Sequence, residues 1–498
     1  MVVSLGGRRG LLLAALLASC ALAVAVATPG EAKVAKGASG AGALDRSFNG
    51  DGKLVVNFPR DEVRSTSPQY ALPYEFAPGR IAMASAGGGK LVVASSKAIV
   101  SYLRNGRPNP RFGGNGAVAI GPIGGSRFQL ADIAIDSQGR LLVAGTTKPT
   151  SEVGMTGMSV AGPIPSVATI RRYLPDGQLD QGFGKEGVLN TTLGTQPPTF
   201  EGKAFEAAAV AVVGLAVDGL DRPLLTGSTV TEVGRCAPSE ARYERSRAIV
   251  ARLNPDGTPD PSFGSGGLQS IGGLSWLGWP IPTATGVLSL GANVDPCPQG
   301  GPGNPSVIAS LGADGSPNQA FSGTGFWSRP FVRVGDLVVA PSGKLVLLVR
   351  TIELSRGEWI ESKGKAMRLR PNGSVDTGFG RGGSTDLLLS RGSIGAVAVD
   401  AKNRVLLVGQ VPVKARKGSK GPRGAQSKLL VMRTTAAGKA DLGFGRKGRV
   451  TTGFGPRTMV LATEVLAGAK GRIVAGAKIS GPRTSTDNAF AIARYLGR

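Results

Sequence analysis

The stretch that decides the fold is 168-ATIRRYLPDGQLDQGFG-184. It reads as an apolar strand, a tight Pro-Asp-Gly turn, and a phrase in which an Asp, two residues, a Phe and a Gly follow one another. Variants of that phrase recur along the chain, with the phenylalanines at 48, 112, 183, 263, 321, 379 and 444. Their spacings are 64, 71, 80, 58, 58 and 65 residues, so the chain contains seven units. The poorest copy, Asn318 to Phe321-Ser322, lacks both the Asp and the following Gly.

Two other phrases keep a fixed order inside the units. One is a hairpin: 131-ADIAIDSQGRLLVAG-145, 334-VGDLVVAPSGKLVLLV-349, 395-GAVAVDAKNRVLLVG-409 and 465-VLAGAKGRIVAG-476. Each is an apolar run, a polar turn with a basic residue, and a second apolar run, as expected of two heavily buried strands. The fourth unit keeps only 284-ATGVLSLGA-292 of it. The other phrase is a strand that ends in Asp-Gly or Asn-Gly, at 105–106, 176–177, 256–257, 314–315 and 372–373, where the turn needs positive φ. Each unit therefore holds four short antiparallel strands, and 490-FAIARYLGR-498 reads as a complete fourth strand of the last. Seven such units predict an all-β, seven-bladed β-propeller built from seven four-stranded repeats, a ring without open sheet edges. An open solenoid or β-helix is the alternative.

The Leu-Asp-x-x-Phe-Gly-x-x-Gly phrase, the Gly-Lys/Arg hairpin and the Ala-x-x-Arg-Tyr strand together resemble the bacterial delta-60 repeat family. The resemblance covers residues 44–498 and is strongest in units two, three, six and seven. It implies repeat architecture on exported or surface proteins and offers no catalytic residues.

Composition agrees with short strands and many turns. Gly (77) and Pro (33) are 110 of 498 residues, about 22% against an ordinary 12% or so. Residues 1–27 read as an export signal: Arg8 and Arg9, then LLLAALLASCALAVAVA over 11–27, with Ala25-Val26-Ala27 as a cleavage site. Leu17-Ala18-Ser19-Cys20 also fits a lipobox, with Cys20 as the lipidated residue, and an uncleaved anchor is a third reading. Residues 28–43 are then a linker, 44–498 the propeller, and the protein is secreted or at the cell surface. In an oxidising compartment the remaining pair, Cys236 and Cys297, is expected to form a disulfide; two unpaired buried thiols are the alternative.

The chain has no His, which excludes Ser-His-Asp and Cys-His catalysis and His-ligated metals. No EF-hand pattern or phosphate loop occurs, and no cofactor is expected. The repeated Asp and Phe read as packing devices, the Phe between neighbouring sheets and the Asp accepting backbone N–H groups in a turn. What remains is charge: 58 Lys and Arg against 33 acids, a net +25. Arg242, Arg245 and Arg247 form one basic run, and Lys414, Arg416, Lys417, Lys420 and Arg423 another without any acid. Alternating turns place the long irregular segments (57–78, 146–166, 190–206, 228–246, 292–305, 351–365 and 411–427) on one face, with both basic runs and the proposed disulfide.

The expected function is a non-enzymatic scaffold or binding module that contacts an anionic cell-wall or extracellular polymer through that rim. Nucleic acid is not expected, since no aromatic platforms accompany the basic runs. A membrane is expected only through an N-terminal lipid, and the protein is expected to be a monomer. The alternative is a carbohydrate-active hydrolase or lyase using carboxylates at the propeller channel.

Overall fold

The computed structural model describes residues 40–58, 81–121, 126–149, 165–200, 203–205, 207–236, 241–293, 306–355, 358–362, 364–385, 389, 392–413, 426–481 and 489–497. Seven sheets, each built on four antiparallel strands, stand in a ring as the blades of a propeller. Blade 2 is representative. Its strands run Ser126–Ile135, Leu141–Pro149, Val167–Tyr173 and Val188–Thr191, paired in chain order. The first strands of adjacent blades pack together around the axis, and the fourth strands lie outermost.

Residues Ala489–Tyr495 form the third strand of blade 7, not the fourth. The fourth is Lys53–Asn57, from the other end of the chain, with Lys53 opposite Ala493 and Asn57 opposite Ala489. Each sequence unit thus begins with the outer strand of the preceding blade. Hydrogen bonding between the two chain ends closes the ring.

The apolar interior is seven buried clusters, one at each junction between blades. Alternation in the strands explains this. Leu142 and Ala144 face blade 3, whereas Leu141 and Val143 face blade 1. Both faces of a blade are covered, so the strands read as continuous apolar runs rather than as alternating ones. The seven motif phenylalanines sit in these junctions, none more than 3% exposed, each worth about 2–3 kcal/mol of burial.

The motif carries more than its Phe. In blades 2, 3, 5, 6 and 7 an Arg on the third strand precedes the chemistry. Arg172, Arg252, Arg368, Arg433 and Arg494 each place Nε 2.7–3.0 Å from the motif carboxylate (Asp180, Asp260, Asp376, Asp441 and Asp45). Each guanidinium also lies 4.4–4.7 Å from the centre of the motif Phe ring, within cation–π range. A further N–H of the same Arg donates to a carbonyl of the next blade, as from Arg252 to Ala313 at 2.5 Å and from Arg368 to Ala436 at 2.5 Å. The Asx-turn expectation holds as well: Asp260 Oδ1 accepts the Ser262 N–H at 2.9 Å.

Backbone bonds complete the ring. The residue after each motif Phe donates its N–H to the third-to-fourth-strand turn of the following blade, for example Gly184 to Asp256 at 2.9 Å and Gly264 to Asp314 at 2.7 Å. At the last junction Gly445 donates to Ala41 at 2.9 Å, so the N-terminal segment stands where a turn would be. Gly257 shows why these turns end in glycine. Its φ is +95°, and a Cβ there would lie 3.0 Å from the Phe183 ring.

Candidate functional site

Local geometry removes the motif carboxylates from candidacy. Besides its strand Arg, each is approached by a second cation from the first hairpin of its blade. Arg472 lies 2.6 Å from Asp45, Lys344 2.8 Å from Asp376 and Arg222 3.2 Å from Asp260. Burial would raise the pKa of Asp45, but Ser47, Arg472 and Arg494 outweigh it and bring it down to about 2. Asp260 is likewise held at about 2, with Ser262 and Arg252 overcoming burial. Such groups are locked anions of the scaffold. Blades 1 and 4 carry a neutral version: Ser101 with Asn109, and Ser310 with Asn318, each pair 3.3 Å apart. Where the Arg is absent the acid is absent too, so no unpaired charge is buried.

These motif turns and the short first hairpins share one face of the ring. The opposite face carries the connections between second and third strands. Two of those, expected as irregular segments, are β-arms. In blade 3 the strands Pro223–Cys236 and Ala241–Arg252 run on together as a long hairpin, and in blade 5 Leu345–Ser355 pairs with Glu358–Glu361. Strand pairing satisfies the backbone groups that a free loop would leave to water.

The predicted basic residues divide accordingly. Arg242, Arg245 and Arg247 lie on the returning strand of the blade 3 arm. Arg245 pairs with Glu232 at 3.4 Å and lies 5.9 Å from the Tyr243 ring, while Arg247 is exposed. Lys414, Arg416, Lys417, Lys420 and Arg423 lie outside the described residues, as do Cys20 and Cys297. Cys236 ends the outgoing strand of the arm and is 8% exposed.

A pair that sequence reading missed lies beside the arm. Arg127 and Lys148 occupy opposite register positions on the first two strands of blade 2, so two cations point to the same side of the sheet. Lys148 lines a cleft of about 540 Å³ between blades 2 and 3, with the hydroxyls of Ser126, Thr147, Thr192 and Thr195. Burial lowers the Lys148 pKa; Glu244 on the arm opposes this and Arg127 adds to it. Among the described residues neither cation makes an ion pair. Like charges opposed across a strand pair cost stability, so the arrangement favours an arriving anion. Nothing in the one-dimensional spacing of 127 and 148 signals this; only strand register brings them together.

The first strands carry acids as well. Asp132 and Asp336 stand at β-bulges in the first strands of blades 2 and 5, and Glu464 at the equivalent bulge of blade 7. Burial raises the pKa of Asp336 to about 6, against the pull of two backbone N–H groups, Val397 at 2.7 Å and Leu337 at 2.8 Å. Among the described residues no three His, Cys, Asp or Glu side chains come close enough together to hold a metal ion. No described helix is long and apolar enough to cross a membrane.

Comparison with known proteins bears on the fold. Residues 243–263, from the blade 3 arm to its motif Phe, match the family described as "Domain of unknown function (DUF5122) beta-propeller". No curated protein matches the chain. Among solved structures, the polysaccharide lyase Uly1 is 9% identical over 88% of this chain and 94% of its own, with a TM-score of 0.45. A protein of unknown function from Dyadobacter fermentans is 12% identical over 76% of this chain and 100% of its own, with a TM-score of 0.37. A PL25 ulvan lyase is 8% identical over 83% and 90%, with a TM-score of 0.41.

Proposed function

We propose that this chain is an exported, non-enzymatic binding module whose working surface is the arm-bearing face. Its partner on this reading is a polymer carrying carboxylate, sulfate or phosphate groups. The observation that supports it is that Arg127 and Lys148 stand opposite one another on blade 2 without an ion pair among the described residues, with Lys148 lining the cleft between blades 2 and 3. Arg247 on the neighbouring arm extends the same surface, and the rim at Lys414–Arg423 belongs to it by sequence. Rigid blades with longer connections on one face are a usual place for binding residues.

The test is retention on immobilised anionic polysaccharide or isolated cell wall. The double substitution Arg127→Ser and Lys148→Ser relieves a repulsion, so thermal stability should hold or rise while retention at low salt falls. Replacing Lys414, Arg416, Lys417, Lys420 and Arg423 with Ser should weaken retention further. Retention unchanged at low ionic strength in both variants would overturn the reading.

The second reading is a carbohydrate-active enzyme, and one observation favours it. An acid with a pKa near 6, as at Asp336, is what a general acid needs. Against it, both oxygens of Asp336 already accept backbone N–H bonds. Turnover of an acidic polysaccharide that disappears in Asp336→Asn would favour this reading over the first.

A further inference from the structure

A groove of about 700 Å³ opens at the seam between blades 6 and 7. Its floor is Leu44 and Val450, and its walls are Arg446, Lys447, Arg449 and Thr451. Arg446 and Arg449 face one another across the turn, their backbones bonded at 3.0 Å. Lys447 between them holds a φ of +56°, in a turn where Gly266 and Gly382 stand in blades 3 and 5 and Glu186, at +54°, in blade 2. All three cations are exposed, and none makes a side-chain hydrogen bond or ion pair among the described residues. The one carboxylate of the turn, Asp441, is taken by Arg433 at 2.7 Å with Arg404 at 3.8 Å. Two opposed arginines with a lysine between them, none paired among the described residues, concentrate positive charge at the mouth of the groove.

Two further observations choose among anions. Leu442, in the same turn, is 74% exposed, and Lys439 and the neighbouring blade's Arg381 are exposed on this face. The groove also lies where the chain leaves the ring: Gly42 is on its lining, and the Ala41 carbonyl accepts the Gly445 N–H. From there the sequence leads back to the apolar stretch 11–27. An exposed leucine on a face that also carries cations suits the boundary between headgroups and acyl chains.

We infer that this groove seats the phosphate of an anionic phospholipid headgroup and lays the motif-bearing face of the ring on a membrane. Arg446, Lys447 and Arg449 hold the phosphate, and Leu442 enters the interface beside it. The surface is opposite the arm-bearing face, so a propeller docked this way presents its arms outward. The inference uses none of the residues on which the polymer-binding reading rests.

The experiment compares binding of the full-length protein to vesicles of phosphatidylcholine alone and of phosphatidylcholine with phosphatidylglycerol. The readout is the ratio of the two affinities, compared between parent and variants, all of which carry the same leader with its Arg8 and Arg9. The triple substitution Arg446→Ser, Lys447→Ser and Arg449→Ser should lower that ratio on the order of a hundredfold, at about fivefold per cation. Leu442→Asp should lower it as well, and Arg245→Ser with Arg247→Ser should leave it unchanged. Circular dichroism confirms folding of each variant. An unaltered ratio in the triple variant overturns the inference. So does a thermal shift by inorganic phosphate that needs these three residues while vesicle binding does not, since the groove would then serve a soluble anion.

Discussion

Arg494 and Asp45 stand 449 positions apart in the chain and meet with Nε 3.0 Å from Oδ2. The same guanidinium lies 4.6 Å from the centre of the Phe48 ring. This is the contact that every other Arg-bearing blade makes within about a dozen residues, here assembled from the two ends of the protein. Closure of the ring repeats the local motif rather than adding a separate lock.

The pairing of Arg with Asp, and of Ser with Asn in blades 1 and 4, makes a charge-balance prediction. Arg252→Ser alone leaves Asp260 short of its main partner, and Asp260→Asn alone leaves a buried Arg unpaired. Each should cost about 3 kcal/mol. The double substitution reproduces the Ser310–Asn318 arrangement and should cost less than the sum by at least about 1 kcal/mol. Denaturant unfolding of the four proteins in the cycle measures this; strict additivity would refute the pairing.

Acid should weaken the ring through the motif carboxylates. Asp45 and Asp260 have folded pKa values near 2, below the ordinary 3.8. Their contribution is therefore complete above about pH 4 and disappears as pH falls towards 2. Each is worth about 2 kcal/mol over that window. Melting temperatures between pH 5 and pH 2 should fall steeply in the parent and more shallowly in Asp260→Asn.

Asp336 should act with the opposite sign. Its folded pKa of about 6 lies above the ordinary 3.8, so the folded state holds the proton more tightly than the unfolded one. Stability from this group declines as pH rises from about 4 to about 6, by about 3 kcal/mol. Asp336→Asn should abolish that slope. It should also cost about 1–3 kcal/mol, because the amide NH₂ would face a backbone N–H where a carboxylate oxygen accepted one. A slope that survives in the variant would place the titration elsewhere.

The Cys236–Cys297 bridge remains a proposal, since one partner lies outside the described residues. Cys236 ends the outgoing strand of the blade 3 arm, and by sequence Cys297 falls between Gly286–Ala292 and Ser306–Gly312, the second and third strands of blade 4. Alkylation of protein from an oxidising compartment under denaturing conditions should label neither cysteine before reduction and both after it. Labelling before reduction would show free thiols.

Repeat phrases and turn residues carried the number of blades, the strand count per blade and the burial of the seven phenylalanines. Each of those is a local property with a period: apolar runs, Asp-Gly turns and an Asp three residues before a Phe declare themselves within one unit. The Arg–Asp link was also present at constant spacing, as in Arg172 and Asp180 or Arg433 and Asp441. Its meaning needed the strand turned back on itself, so that a side chain on the third strand meets the turn that follows it.

Tertiary structure alone decided the rest. That Lys53–Asn57 completes blade 7 follows from ring closure, because the outer edge of a last sheet is an unpaired row of N–H and C=O groups that the first strand can satisfy. That 228–246 is a β-arm rather than a loop follows from pairing between its two halves, which no local signal in either half declares. The juxtapositions of Arg127 with Lys148 and of Leu44 with Arg446 depend on register and on blade neighbours. Charge can be counted along a chain, but whether two cations oppose one another is fixed only when strands pair and blades meet.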